Sequence, residues 1–123
     1  MNKEFIPYEQ ALELKELGFD EPCFGCYDEK RVFGLTVMSI KQYYTNSKED
    51  TWNCSAPLYQ QAFRWFREKY GLHNYVYKNV AGADFWGYYT WKTGGTSPYN
   101  SYEEAELACL EKLIEIVKGG DNV

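Results

Sequence analysis

Cys23-Phe24-Gly25-Cys26 is the first spacing in this chain that could do chemistry. A redox C-x-x-C sits between a strand and a helix N-terminus, whose dipole lowers the thiol pKa. Here a strand is expected to follow, and Pro22 precedes the pair rather than lying between the cysteines. Alternation along a strand also puts positions 23 and 26 on opposite faces. A zinc site would need two further ligands. Only Cys54, Cys109 and His73 remain to supply them, with no second C-x-x-C and no paired histidines. The expected state is four reduced, packed cysteines, with no metal and no cofactor.

The other polar candidates are weaker. His73 is the sole histidine and follows the end of the second helix, so it reads as a junction residue rather than a general base. Glu106 interrupts the apolar arc of the third helix. It is expected at a solvated rim, the alternative being a semi-buried carboxyl with a raised pKa. Lys92-Thr93-Gly94 spells the K-T-G of serine β-lactam enzymes, but the companion S-x-x-K and S-D-N are absent. A phosphate loop would place its lysine after the glycines and before a helix, so this segment reads as a turn. Glu9, Glu13 and Glu16 form an acidic stripe on the first helix. It is a solvated face or, more sharply, a docking surface for a basic partner. No catalytic set emerges, and the chain is not expected to be an enzyme.

Rings are the stronger lead. The chain holds 12 Tyr, 7 Phe and 4 Trp, 19% of its residues, so the core is expected to be rich in large rings, with tyrosine hydroxyls reaching polar partners or water. Between Phe85 and Trp91, alternation puts Phe85, Tyr89 and Trp91 on one side of a strand and Trp86 and Tyr88 on the other. Tyr75 and Tyr77 share a face of the partner strand. A sheet with helices on one side only leaves an aromatic face open to bases, sugars or partner side chains. Alternatively, the loop 41–56 or a dimer mate covers it.

Three stretches start alike: Tyr8-Glu9-Gln10-Ala11, Tyr59-Gln60-Gln61-Ala62 and Tyr102-Glu103-Glu104-Ala105. Each opens a run with helical periodicity, over about Pro7 to Leu17, Pro57 to Tyr70 and Ser101 to Lys118. The first two runs end at Gly18-Phe19 and Gly71-Leu72, where glycine can take the left-handed cap. In the second, Leu58, Tyr59, Ala62, Phe63, Trp65, Phe66 and Tyr70 share one arc. Ser101 and Glu104 spell a capping box for the third. The shared start is a duplicated α-β-β unit or simply a composition that suits a first helical turn. Pro22 to Tyr27 and Val32 to Ile40 read as strands around a polar turn, and Asn74 to Val80 and Asp84 to Trp91 as a hairpin around Ala81-Gly82-Ala83. Lys41 to Ala56 reads as a long loop, with a strand extension through Tyr43-Tyr44 as an option, and Lys92 to Asn100 as a mobile one.

Net charge is −5, so the chain as a whole lacks the basic footprint of a nucleic-acid binder. The same acidity disfavours an anionic membrane surface, and no segment approaches the length of a membrane span. The first residues, Met1 to Pro7, contain no apolar stretch, and cytoplasmic residence is the expectation.

Pro7-Tyr8-Glu9-Gln10-Ala11 with Leu17-Gly18-Phe19-Asp20-Glu21-Pro22-Cys23-Phe24, the run Ala56 to Leu72, and the run Tyr102 to Val117 cover the three helices, a little under half the chain. These strings resemble a group of small proteins of unknown function encoded by phages and mobile elements of gut bacteria. The resemblance carries no activity or site residue; it implies a small accessory protein. The expected fold is α+β: helix–hairpin–helix–hairpin–helix, a mainly antiparallel four-stranded sheet with three helices largely on one face. Residues 1–118 are read as one domain and 119–123 as a frayed tail. The expected function is non-enzymatic binding of a macromolecular partner, most simply a protein, with homo-oligomerisation an option. The alternatives are a small-ligand or nucleotide binder on the aromatic face and a cysteine-based metal or redox protein. Trp86, Tyr88, Phe85, Tyr89, Trp91, Glu9, Glu13 and Glu16 are the candidate binding residues.

Overall fold

The computed structural model describes residues 2–35, 44–46, 53–79 and 85–119. The chain is α+β, and its described residues form three α-helices and two antiparallel sheets. Its internal contacts divide it into two compact units, residues 1–61 and 62–123. No helix among the described residues is long and apolar enough to cross a membrane.

The first unit opens with a 3-10 turn, Asn2–Glu4, and helix α1, Tyr8–Glu16. Pro7 is the extended residue before the helix, not its first helical residue, and Ala11 N–H donates to Pro7 O at 2.9 Å. The helix stops as the glycine predicts. Gly18 has φ 96, Gly18 N–H donates to Lys15 O at 3.1 Å, and Phe19 N–H donates to Leu14 O at 2.9 Å. This pair of bonds is the Schellman motif, and it satisfies carbonyls that the helix end would strand. It also swings Phe19 into the core, where it is buried with Ile6, Ala11 and Leu14.

Strand β1, Gly25–Tyr27, lies between β2, Phe33–Leu35, and β3, Cys54–Ala56, antiparallel to both. The polar turn before β2 is pinned by Asp28, whose Oδ1 accepts from Lys30 N–H at 2.8 Å and Val32 N–H at 2.9 Å. Those bonds hold Arg31 at φ 67, an unusual conformation for a side chain with a Cβ. Its guanidinium lies 5.0 Å over the Tyr8 ring. β3 corrects the loop expected over 41–56. Cys54, Ser55 and Ala56 are small and lack the β-branching that marks a strand, yet pairing with β1 buries all three. Small residues are what fit against a strand backed by Phe5, Tyr27 and Phe33 rings. Tyr44 adds a single bridge to Cys23. The rest of the second expected strand, 36–40, and Tyr43 lie outside the described residues.

The second unit begins within helix α2, Tyr59–Tyr70, since the division falls after Gln61. Gly71, φ 67, ends the helix: its N–H donates to Arg67 O at 3.0 Å, and Leu72 N–H donates to Phe66 O at 3.2 Å. β4, Asn74–Asn79, β5, Phe85–Thr90, and β6, Gly94–Tyr99, then form a meander with β5 central. β6 corrects the mobile loop read over 92–100. Gly94-Gly95-Thr96-Ser97-Pro98 has turn composition, but Gly94 at φ 72 closes the hairpin and Gly95 pairs with Tyr89. A bulge between Trp86 and Tyr88 absorbs the extra residue, so the proline sits on an edge strand where its missing N–H costs nothing in the ladder. The turn at 81–83 lies outside the described residues.

Helix α3, Tyr102–Lys118, packs on this sheet, burying Ala105, Cys109, Leu110, Leu113, Ile114 and Ile116. Each large aliphatic side chain buried this way contributes about 1.5–3 kcal/mol. Half of the expected capping box is present: Ser101 Oγ accepts from Glu104 N–H at 3.1 Å. The reciprocal bond is displaced by one residue, Asn100 N–H donating to Glu104 Oε1 at 3.1 Å.

Two sheets therefore stand where one four-stranded sheet was expected, because each hairpin recruits a third strand from a segment of loop-like composition. Their strand orders also differ, β2-β1-β3 against β4-β5-β6, so the common helix starts are not matched by a common sheet. The two glycine positions at helix ends make a paired test. Gly71→Ala places a Cβ at φ 67 in open space and should cost about 1–2 kcal/mol of stability from backbone strain alone. Gly119→Ala, at φ −69, should cost nothing. Urea denaturation midpoints of the two variants decide this.

Candidate functional site

The β4–β6 meander has a covered face and an open one. On the covered face Trp86 meets Tyr102 of α3 edge-on, ring centroids 5.4 Å apart. Tyr88 and Tyr99 lie 5.9 Å apart, and Thr90 is fully buried. Burial raises the Tyr88 phenol pKa, and the neighbouring Tyr99 pushes the same way. Trp86 is half-buried with Lys78 Nζ 5.7 Å from its ring. Trp86 and Tyr88, two of the candidate residues, thus belong to the packing between α3 and the sheet.

Period-2 alternation sends the intervening residues the other way. Tyr75 and Tyr89, directly paired, stack at 4.9 Å with only 19° between their planes. Such a separation matches the spacing of neighbouring strands, so both rings stand upright on the sheet. Tyr77 cannot do this in the same way, because its partner is Gly87. It reclines instead. A Cβ built on Gly87 would meet Tyr77 Cζ at 2.7 Å, and one on Gly95 would meet Tyr77 Oη at 3.2 Å. The ring therefore lies across β5 towards β6, over two residues that have no side chain. The ladder continues one step past the strands, where Trp91 N–H donates to His73 O at 2.8 Å. That register places His73 and Trp91 in line with Tyr75 and Tyr89. Tyr75 is 55% exposed, Phe85 37% and Trp91 65%.

Of the sequence candidates, Phe85, Tyr89 and Trp91 therefore share the open face. Sequence reasoning set Tyr75 and Tyr77 on one face of the partner strand but left them out of the site, and it read His73 as a junction residue. The missing signal was the register, in which positions paired across the hairpin sum to a constant and draw 73, 75 and 77 to the face of 91, 89 and 87. Glu9, Glu13 and Glu16 lie on α1 in the first unit, Glu9 and Glu16 exposed and Glu13 half-buried.

The cysteines are all free and buried. The alternation expected of Cys23 and Cys26 fails, because the strand starts only at Gly25 and Cys23 makes a separate bridge to Tyr44. Ser55 borders both cysteines, pairing opposite Cys26 and standing ready to donate to a Cys23 thiolate. That thiolate does not form readily: burial pushes Cys23 up to about 12, against the Ser55 hydroxyl. As a thiol, Cys23 donates to Glu21 O at 3.3 Å, and Ser55 Oγ stays buried without a partner. Burial likewise holds Cys109 at about 12 and Cys54 at about 11, and raises Cys26. Thiols so protonated at neutral pH are poor nucleophiles and poor redox centres. Among the described residues no group of three or more His, Cys, Asp or Glu could hold a metal ion.

Glu106 is a correction. It is not at a solvated rim but 6% exposed within α3. Burial raises its pKa, a hydrogen bond with Tyr102 opposes the rise, and the charge of Glu103 adds to it. A carboxyl whose folded pKa is raised favours the fold most below its ordinary value, and that contribution is lost as pH rises through the folded value. Glu106→Gln should therefore stabilise the protein more at about pH 7 than at about pH 4, measured by urea unfolding at each. A second prediction concerns the floor of the open face. In Gly87→Ala the new Cβ would lie 2.7 Å from both Thr96 O and the Tyr77 ring. Tyr77 must lift or β6 must shift, and stability should fall by roughly 1–3 kcal/mol.

Comparison with known proteins finds no matching family model, no matching curated protein and no matching solved structure.

Proposed function

We propose that this chain is a non-enzymatic accessory protein, of the kind phages and mobile elements carry, that binds a macromolecular partner through the open face of the β4–β6 sheet. One observation carries the reading. Tyr75, Phe85 and Trp91 are left exposed on a sheet whose opposite face is already filled by α3. Exposed rings gathered on one rigid surface are the usual chemistry of a contact site, where they offer large area at low entropic cost. The buried, protonated thiols support binding over cysteine chemistry and fit a reducing, cytoplasmic setting. The exposed Glu9 and Glu16 of α1 offer a second contact to any basic partner.

A smaller occupant is the second reading. Tyr77 reclining over Gly87 and Gly95, beside the upright Tyr89, makes a shelf on which a single planar ligand could stack. Affinity capture from bacterial lysate separates the two, run with the wild type and with Tyr75→Ala and Trp91→Ala. A stoichiometric macromolecular partner that the variants lose is the expected result. Repeated blank captures, or a partner the variants keep in full, would remove the first reading. Quenching of tryptophan fluorescence by a member of a nucleotide and sugar panel would then favour the second.

A further inference from the structure

We infer that a second copy of this chain pairs with the outer edge of β4, antiparallel about a two-fold axis at Val76, so that two three-stranded sheets join into one. The inference does not depend on the reading of the open face. β4 and β6 are the two edges of the sheet. An edge strand presents a row of backbone groups that template pairing with another chain, unless something blunts it. β6 is blunted: it faces the bulge, begins at Gly94 in the left-handed region and includes Pro98, which has no N–H to give. β4 has none of these features. All six of its residues pair with β5 in one unbroken register, and it contains neither glycine nor proline.

The ladder shows which backbone groups turn outward. Trp91 N–H donates to His73 O, so the odd-numbered residues of β4 turn their groups towards β5. Asn74, Val76 and Lys78 turn theirs to the outer edge. Centring a two-fold axis on Val76 sets Val76 against itself, Asn74 against Lys78 and Tyr75 against Tyr77. Each outward-turned residue then meets another, and every such pair exchanges two hydrogen bonds. A shift of the axis to Tyr77 carries Asn74 past the end of the strand, and a shift to Lys78 sets two lysines against each other. Only the Val76 axis keeps all three outward residues within the pairing.

The rings fit the same register. Tyr75 stacks on Tyr89 on its β5 side and is still 55% exposed, because its other side stands at the edge. Tyr77 leans away from the edge, over Gly87 and Gly95. The space beside its backbone is therefore clear for the upright Tyr75 of the second copy, and the reverse holds across the axis. Aromatic pairs directly opposite one another stabilise a sheet. On the face that carries α3, the single charge of the strand, Lys78, meets the Asn74 amide. One strand pair with its tyrosines is a small interface, so the dimer is reversible and depends on concentration.

The test is sedimentation velocity of the intact protein across micromolar concentrations, where a reversible dimer is the expected result. Val76→Cys puts a thiol on the axis, opposite its own copy at a Cα separation of about 5.5 Å, within disulfide reach. Oxidised glutathione should cross-link it into a covalent dimer. Lys78→Cys lies at a more exposed position but away from the axis, so it should cross-link far more slowly. The wild type, whose cysteines are all buried, should not cross-link. Val76→Pro removes an outward N–H and no bond to β5, and should stay monomeric with its circular dichroism unchanged. If that variant does not fold, the cysteine pair decides alone. Trp91→Ala, on the open face but off β4, should leave the dimer intact, so this inference and the reading of the open face fail separately. A monomer at every concentration, Lys78→Cys cross-linking as fast as Val76→Cys, or a dimer that folded Val76→Pro keeps would overturn the inference. So would a monomer whose lysate partner is lost from Val76→Pro, because the edge would then belong to a foreign strand.

Discussion

A three-stranded sheet has two faces, and α3 fills one of them. That single packing contact orders much of the second unit. Once Trp86, Tyr88 and Thr90 turn towards the helix, the strand period forces Phe85, Gly87 and Tyr89 to the other side. A slip of one residue would exchange the two sets, burying Gly87 against α3 and exposing Tyr88. The helix core of Leu110, Leu113 and Ile114 opposes such a slip, since the whole apolar surface it covers would have to be replaced by another.

The open face owes its shape to what is missing from it. Two glycines on adjacent strands let a tyrosine lie down where others stand up. Gly87 is therefore constrained by its neighbours rather than by its own backbone angles, whereas Gly18 and Gly71 are constrained by positive φ at helix ends. The same residue type serves two physical purposes, close approach and left-handed turning. In the first unit, small residues serve a third. Cys54, Ser55 and Ala56 fit where larger side chains would collide with the rings around β1, and the burial that results keeps the thiols protonated.

Much of the helical frame was legible in the sequence. The glycine stops after α1 and α2, the Ser101 cap and the apolar arcs are local signals, each decided within a turn or two of chain. The central hairpin of the second unit was legible for the same reason, from alternating rings about a short turn. β3 and β6 were not. Their composition is that of loops, and they become strands only because a partner strand offers its free hydrogen-bonding edge. Glu106 was misplaced because a carboxyl in an apolar arc can sit at either margin of the buried stripe, and only the packed sheet decides which.

By itself, then, the sequence determined where helices begin and end, which residues of β5 share a face, and that the chain is unusually rich in rings. Only the tertiary structure decided which of the two ring faces is covered, and that His73, Tyr75 and Tyr77 join the open one. Helix stops and strand alternation depend on neighbours in sequence, so sequence reveals them. Exposure depends on which element comes to rest against which face, a choice made by contacts between residues far apart in the chain.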